Sequence, residues 1–281
     1  MKQIKDIVAE TLITAASTFR PDQKDAYRRA IEVETDATAR WAQEQILENA
    51  EVAERTRRPL CDDTGIPHLF LEVGPGKVLS PELFAALRAG VAEGLRRLPG
   101  RPMAVMGDDS ARLDQSGGLS PDSADVLPAP IAVWETDEDV LRLTVLMLGG
   151  GPAIRGITHR IFHRHSVATV ADEIVARATA GVKALGCSPC ALAVGVGRSQ
   201  YEATSLMLAA MAKGDFGRQT DFEREITHRV NEAAIGPLGL GGRTSVLATF
   251  ARIGPQRASG VRIVAIRPCC CFEPRRASVE L

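Results

Sequence analysis

Six cysteines stand at positions 61, 187, 190, 269, 270 and 271 of a 281-residue chain, in three widely separated segments. "RPLCDDTGIP" carries Cys61 with Asp62, Asp63 and Thr64 behind it, "GCSPCALAVGVG" carries Cys187 and Cys190, and "AIRPCCCFEPRR" carries the run 269–271. Cysteine sulfur is a soft ligand suited to zinc and to iron–sulfur groups. Three thiolates around an iron–sulfur cube leave one iron without a protein ligand. That open iron can act as a Lewis acid on a hydroxyl or a carboxylate. The competing reading is that these are buried, inert thiols, since cysteine packs well as a small hydrophobe.

Two other cysteine chemistries fit less well. A disulfide framework serves small secreted chains, and this chain is neither small nor visibly secreted. Cys187-Ser-Pro-Cys190 matches the redox C-x-x-C pattern, but it precedes a strand, where a thioredoxin-like motif needs an early strand–helix context. In the triplet, adjacent side chains of an extended backbone point to opposite faces, so the three sulfurs cannot all serve one site. Cys269 and Cys271 share a face if the strand continues that far, and Cys270 reads as a buried thiol.

Further groups could do chemistry. His159, His163 and His165 cluster in "THRIFHRH", and 159 with 163 is an i, i+4 pair that could ligate zinc from one helix face. Among arginines, such a cluster also reads as a solvated basic face. Asp63 is the conspicuous acid beside the first cysteine, although Asp-Asp-Thr-Gly is equally a turn sequence. The glycine-rich segment 236–244 lacks the lysine and the register of a phosphate loop, which argues against nucleotide binding.

The elements that must position these residues follow from periodicity. No Gly or Pro falls between Pro21 and Pro59, and apolar residues recur there at helical spacing, so one or two long helices are expected. Ser80-Pro81 reads as an N-cap followed by proline at the first helical position. A further helix is expected over 167–185, and Thr220 with Glu223 forms a capping box. Strands are expected at His68–Val73, Ile131–Glu135, Leu141–Met147, Ala191–Gly195, Ser245–Ile253 and Val261–Ile266. Residues 99–129, rich in Gly, Pro, Ser and Asp, read as a long functional or disordered loop. The class is therefore mixed α/β, of the α+β kind, with mixed sheet elements packed by several long helices. One domain over 1–281 is expected, with a helical N-terminal region (1–58) and a cysteine-bearing α/β region (59–281).

Bulk composition narrows the function. A net charge of −1 lacks the basic excess of a nucleic-acid or membrane-surface protein, and 4% aromatics leave little stacking surface. There is no run of about eighteen apolar residues and no basic-then-apolar leader, so a cytoplasmic location with no membrane partner is the expectation.

Four motifs together resemble the class I (iron–sulfur) fumarases and the related tartrate dehydratases. The family's P-x-C-Q-D-T-G is similar to Pro59-Leu60-Cys61-Asp62-Asp63-Thr64-Gly65, after an N-x-x-x-A stretch at Asn49 to Ala53. Its N-P-C-P-P segment running into G-V-G is similar to Ser188-Pro189-Cys190-Ala191-Leu192 and Gly195-Val196-Gly197. Its G-I-G-P-x-G-L-G-G-x-T resembles residues 234–244, and its C-H-A-x-R-R resembles Cys271-Phe272-Glu273-Pro274-Arg275-Arg276. The order holds over nearly the whole chain.

The resemblance implies the α subunit of a two-subunit hydro-lyase that reversibly hydrates or dehydrates a small hydroxy-dicarboxylate. Oligomerisation is implied as well, with the rest of the active site, including most of the proton-abstracting machinery, on a separate β subunit. The implied cofactor is a [4Fe-4S] cluster held by Cys61, Cys190 and Cys271, the last chosen by counting back from Arg275. Implied catalytic residues are Asp63 and Arg101, and implied substrate contacts are Asp62, Thr64, Gly150 and Gly151, the last two in a G-G-G turn at 149–151. The chain departs from the pattern at Asp62, where the family has glutamine, and at Pro152-Ala153-Ile154, where it usually has S-E-N. It departs again at Gln256-Arg257-Ala258-Ser259, where the family has H-I-A-S. The substrate shell thus differs more than the ligands, so a divergent non-catalytic relative is the alternative. A zinc-binding structural protein is a further one.

Overall fold

The fold is described for residues 2–281 from a computed structural model. In chain order the elements are α1 (Lys2–Ser17), α2 (Pro21–Val33), α3 (Ala37–Thr56), β1 (Ile66–Val73), α4 (Pro81–Arg97), α5 (Asp109–Asp114), β2 (Ala132–Glu135) and β3 (Leu141–Leu148). They continue with α6 (Gly150–Ala153), β4 (Ile157–Phe162), α7 (Val167–Leu185), β5 (Cys190–Gly197), α8 (Gln200–Lys213), α9 (Asp221–Asn231), β6 (Val246–Ile253), β7 (Val261–Pro268) and β8 (Arg275–Glu280). Helices and two mixed sheets make an α+β fold.

Two compact units are formed, each from separate stretches of chain. The first takes residues up to Thr18, Ala50–Gly149 and Arg275–Leu281, and the second takes Phe19–Asn49 and Gly150–Pro274. The expected helical N-terminal region therefore contributes to both.

In the first unit the strand order is β2-β1-β3-β8, with β1 parallel to β2 and every other pairing antiparallel. Helices α1 and α4 pack together, and α1 lies on β3 and β8. Val8, Leu12, Leu87, Val91 and Leu95 from the helices meet Leu69, Leu71, Leu143, Val145 and Met147 from the strands in one apolar core. The stripe at Leu83, Leu87, Val91 and Leu95 is what commits α4 to that face. Ser80 caps it by accepting from the Leu83 N–H at 3.2 Å.

In the second unit the order is β4-β7-β5-β6, with β5 parallel to β6 and antiparallel to β7. Strand β5 is buried along its whole length, as an almost unbroken apolar run should be when both faces are covered. Cys190, Leu192, Val194 and Val196 share one core with Ile174, Val182, Ile226 and Val230 of α7 and α9. The alternate positions are small, and α8 lies directly over them: a Cβ on Gly195 would be 2.0 Å from the Ala203 carbonyl oxygen. The capping box forms as expected, with Thr220 accepting from the Glu223 N–H and the Glu223 carboxylate accepting from the Thr220 N–H.

Residues 157–162 correct one expectation. His159 and His163 are not paired on a helix: Ile157–Phe162 is strand β4, bonded to β7 from Ile157↔Ile266 to Phe162↔Val261. The helical spacing of the histidines is coincidental, because pairing with an available strand partner decides the local structure. His163 Nε2 lies 2.7 Å from the Ser259 carbonyl oxygen, and its Nδ1 accepts the His165 N–H at 2.9 Å. Both ring nitrogens are engaged. Burial, aided by the charge of Arg177, holds the His159 pKa below its ordinary value.

Candidate functional site

In the first unit the candidate residues lie on the loop between α3 and β1. The Leu60 N–H donates to the Ala16 carbonyl at 2.9 Å and fixes the loop's start to the end of α1. Cys61 is half-buried, and its Sγ donates to Asp62 Oδ1 at 3.4 Å. Asp62 Oδ1 also accepts the Asp63 N–H at 2.9 Å, an Asx turn that folds the loop back on itself. Arg101, exposed on the chain that follows α4, donates to Asp62 Oδ2 at 3.3 Å. Thr64 is buried, and its Oγ1 has no hydrogen-bond partner among the described residues.

Arg275, the first residue of β8, closes the loop's other end. Its Nη1 donates to the carbonyl oxygens of Asp63 at 2.7 Å and Thr64 at 3.1 Å. Gly65 has φ +88°, and a Cβ there would be 2.7 Å from Arg275 Nη2. A Cβ on Gly149 would lie 2.9 Å from Asp63 Oδ2 and 3.3 Å from Arg275 Nη2. Gly65 is required by its left-handed backbone and by this close approach, and a Cβ at Gly149 would crowd the Asp63 carboxylate.

In the second unit Cys190 opens β5, and Cys269, Cys270 and Cys271 lie in the turn after β7. That strand ends at Pro268, so the alternation expected for an extended run does not govern the triplet. All four thiols are buried. Three of them, Cys190, Cys270 and Cys271, lie near one phenol: Tyr27 of α2 is fully buried, and its hydroxyl donates to the Cys271 carbonyl at 2.6 Å. Burial first, then nearby Cys271, Cys270 and Cys190, push the Tyr27 pKa far up, so this hydroxyl stays protonated and remains a donor. Burial likewise pushes the Cys190 and Cys269 thiols up.

Two supports hold these turns. The Cys269 N–H donates to the Ala191 carbonyl at 2.8 Å, tying the triplet to β5. Arg267 Nη2 bridges both carboxylate oxygens of Glu273 at 3.0 and 3.1 Å in a fully buried ion pair across the turn. For Arg267, burial opposes the charged form, but the Glu273 carboxylate together with the neighbouring Cys269 and Cys270 outweighs it and raises the pKa. The glycine-rich segment reaches the other cysteine turn, with the Ser188 hydroxyl donating to the Gly236 carbonyl at 2.5 Å and the Leu238 N–H donating to the Ser188 carbonyl at 2.8 Å. Gly150 and Gly151 open the short α6, and Arg155 donates to the Gly151 carbonyl at 2.9 Å.

Within the first unit Cys61, Asp62, Asp63, Thr64 and Arg101 thus stand together. Within the second Cys190 and Cys271 share the surroundings of Tyr27. Tyr27, Arg267, Glu273 and the clamp by Arg275 were not anticipated. Tyr27 carried a usable signal, because a tyrosine on the buried stripe of an amphipathic helix needs a partner for its hydroxyl. Among the described residues, no group of three or more His, Cys, Asp or Glu is spaced to hold a single metal ion. No helix among them is long and apolar enough to cross a membrane.

Comparison with known proteins makes this α+β chain a hydro-lyase. The chain belongs to the fumarate hydratase (Fumerase) family, whose model matches residues 5–280. The putative L(+)-tartrate dehydratase subunit alpha of Methanocaldococcus jannaschii is 25% identical over 287 residues, covering 98% of this chain and 96% of that protein. The L(+)-tartrate dehydratase subunit alpha of Escherichia coli K12 is 24% identical over 277 residues, covering 96% of this chain and 88% of that one.

Proposed function

We propose that this chain is the α-type half of an iron–sulfur hydro-lyase that acts on a small hydroxy-dicarboxylate of the malate or tartrate kind, completed by a separate β-type chain. The observation that carries the reading is that the Cys190 and Cys271 turns meet at the Tyr27 hydroxyl, 3.4 Å from the Pro189 carbonyl oxygen and 2.6 Å from that of Cys271, in a chain of the fumarate hydratase family. The names of the relatives, each a subunit alpha, support the separate partner.

The donor set fits a [4Fe-4S] group in its chemistry: soft sulfurs on segments with fixed backbones, Cys190 and Cys271 buried and Cys61 half-buried, with these three as the proposed ligands. Burial pushes the Cys190 thiol up, so its ligation releases a proton. When bound, the group supplies an open iron as a Lewis acid for the substrate hydroxyl.

The chain's own residues divide the remaining work. Asp63 is the proposed proton-transferring acid, held by its backbone carbonyl against Arg275. Arg101 is the proposed cation for a substrate carboxylate, and Thr64, Gly150 and Gly151 are further proposed substrate contacts. Asp62 stands where the family has glutamine and already contacts Arg101 at 3.3 Å, so an incoming carboxylate must displace it. That competition favours a substrate whose carboxylates bind more strongly, or a different one altogether.

The test is co-expression with a β-type chain under anaerobic conditions and assay on fumarate, malate and L- and D-tartrate. Turnover of one hydroxy-dicarboxylate that needs both chains supports the reading. A complex loaded with iron and sulfide but inert on all of them contradicts it.

A further inference from the structure

Arg275 is the largest fully buried side chain among the described residues, 1% exposed, and it is a cation. Burying a guanidinium is costly unless its donors are used. Here Nη1 is committed to two main-chain carbonyls, those of Asp63 and Thr64, while Nε has no hydrogen-bond partner among the described residues. A residue present only to fill core volume would not need a charge. One that must hold an irregular loop benefits from a rigid planar fork reaching two successive carbonyls.

The surroundings are shaped to admit that fork. Gly65 and Gly149 lack side chains where a Cβ would fall 2.7 and 3.3 Å from Nη2, and the same absent Cβ at Gly149 leaves room for Asp63 Oδ2. Besides the bond from Leu60 to Ala16, the two bonds from Arg275 hold the backbone of the segment that carries Cys61, Asp62 and Asp63. β8 itself is anchored by pairing with β3, from Met147↔Arg275 to Arg142↔Glu280. A ladder of strand pairs therefore supports the arginine, and the arginine supports the loop.

We infer that Arg275 is a positioning residue for the reaction: it acts through the Asp63 and Thr64 carbonyls to fix the Asp63 carboxylate against Gly149. The inference rests on the proposed role of Asp63, and its test separates the two. Arg275→Met keeps the bulk and removes the donors, and Arg275→Lys keeps the charge without the fork. Hydrogen exchange on the full chain is followed at residues 62–66 and, as an internal reference, in β6. In Arg275→Met the loop amides are expected to exchange about tenfold faster or more, while β6 keeps its wild-type rates. In the two-chain enzyme kcat should fall with KM moving less than about threefold. Arg275→Lys should lie between wild type and Arg275→Met in both measurements.

Loop exchange that stays at the wild-type rate, or that rises equally in the loop and β6, overturns the inference. If Arg275→Met does not fold, Arg275→Lys decides: accelerated exchange confined to 62–66 supports the clamp, and wild-type exchange with wild-type kcat overturns it. Asp63→Asn serves as the separating control. A fully active Asp63→Asn removes the functional reading of Asp63 and with it the catalytic side of the inference, whereas a loss of kcat at wild-type loop exchange upholds that reading whatever the clamp does.

Discussion

The hydroxyl of Tyr27 lies 2.6 Å from the carbonyl oxygen of Cys271, across 244 positions of sequence, and donates to it in a fully buried setting. Burial pushes the phenol's pKa well above its ordinary value, which keeps in place the proton that this bond uses. It fixes the backbone of the cysteine turn without engaging the sulfur.

Tyr27→Phe should therefore lower stability while sparing the thiols. Leaving the Cys271 carbonyl without its donor costs about 1–3 kcal/mol, which corresponds to a fall in Tm of about 2–4 °C per kcal/mol for a chain approaching this size. Thermal denaturation of the two proteins checks this. Equal melting temperatures would mean that the turn is held by the Arg267–Glu273 pair and the Ala191 bond alone.

Asp62→Gln should improve substrate capture. Removing the carboxylate that contacts Arg101 frees a cation and removes a like charge from an anion's approach. KM for the dicarboxylate is expected to fall several-fold with kcat little changed, and the gap should narrow as salt is added. Steady-state kinetics at two ionic strengths measure both effects. An unchanged KM would take Arg101 out of the binding role.

Glu34 gives the second unit an acid-sensitive joint. Its Oε1 accepts the N–H groups of Thr35 and Asp36, and its Oε2 accepts that of Arg243 at 2.8 Å, joining the α2–α3 turn to the glycine-rich segment. Burial acts to raise its pKa, but the three donated N–H groups outweigh burial and leave it lowered. A folded pKa below the unfolded one means the contribution is full at neutral pH. It is lost as the pH falls from the unfolded value, about 4.3, through the folded one. Glu34→Ala should cost about 2 kcal/mol at neutral pH and progressively less in acid. Denaturant unfolding at a series of pH values reads this out, and a cost independent of pH would show that the carboxylate charge is not what matters.

Legibility from sequence was greatest where local chemistry decided the outcome. The Ser80-Pro81 start of α4, the Thr220–Glu223 box and the apolar run of β5 each rest on groups a few residues apart, and each formed as expected. The helical N-terminal stretch resolved into α1, α2 and α3. Where distant pairing decides, the pattern misled. The histidine spacing at 159 and 163 imitates a helix, yet β7 offers a ladder to residues 157–162. The triplet looked like a strand continuation, but Cys269–Cys271 lie beyond Pro268 in a turn set by Tyr27, Ala191 and the Arg267–Glu273 pair. None of those partners is near in sequence except Arg267 and Glu273, whose opposite charges six positions apart carry no distinguishing mark. Arg275 was legible as a register marker for Cys271. Its clamp on the Asp63 loop depends on the pairing of β8 with β3, which no local pattern announces.

The cofactor content of cysteine variants is the sharpest check on a cluster held by three separated thiols. The full chain, reconstituted anaerobically with iron and sulfide, should turn brown and hold about four of each per chain. Cys61→Ala, Cys190→Ala and Cys271→Ala should each lose the visible absorbance and most of the iron, while Cys187→Ala and Cys269→Ala keep both. Full iron and sulfide in Cys271→Ala, or stoichiometric zinc without sulfide in the wild-type protein, would contradict that ligand set.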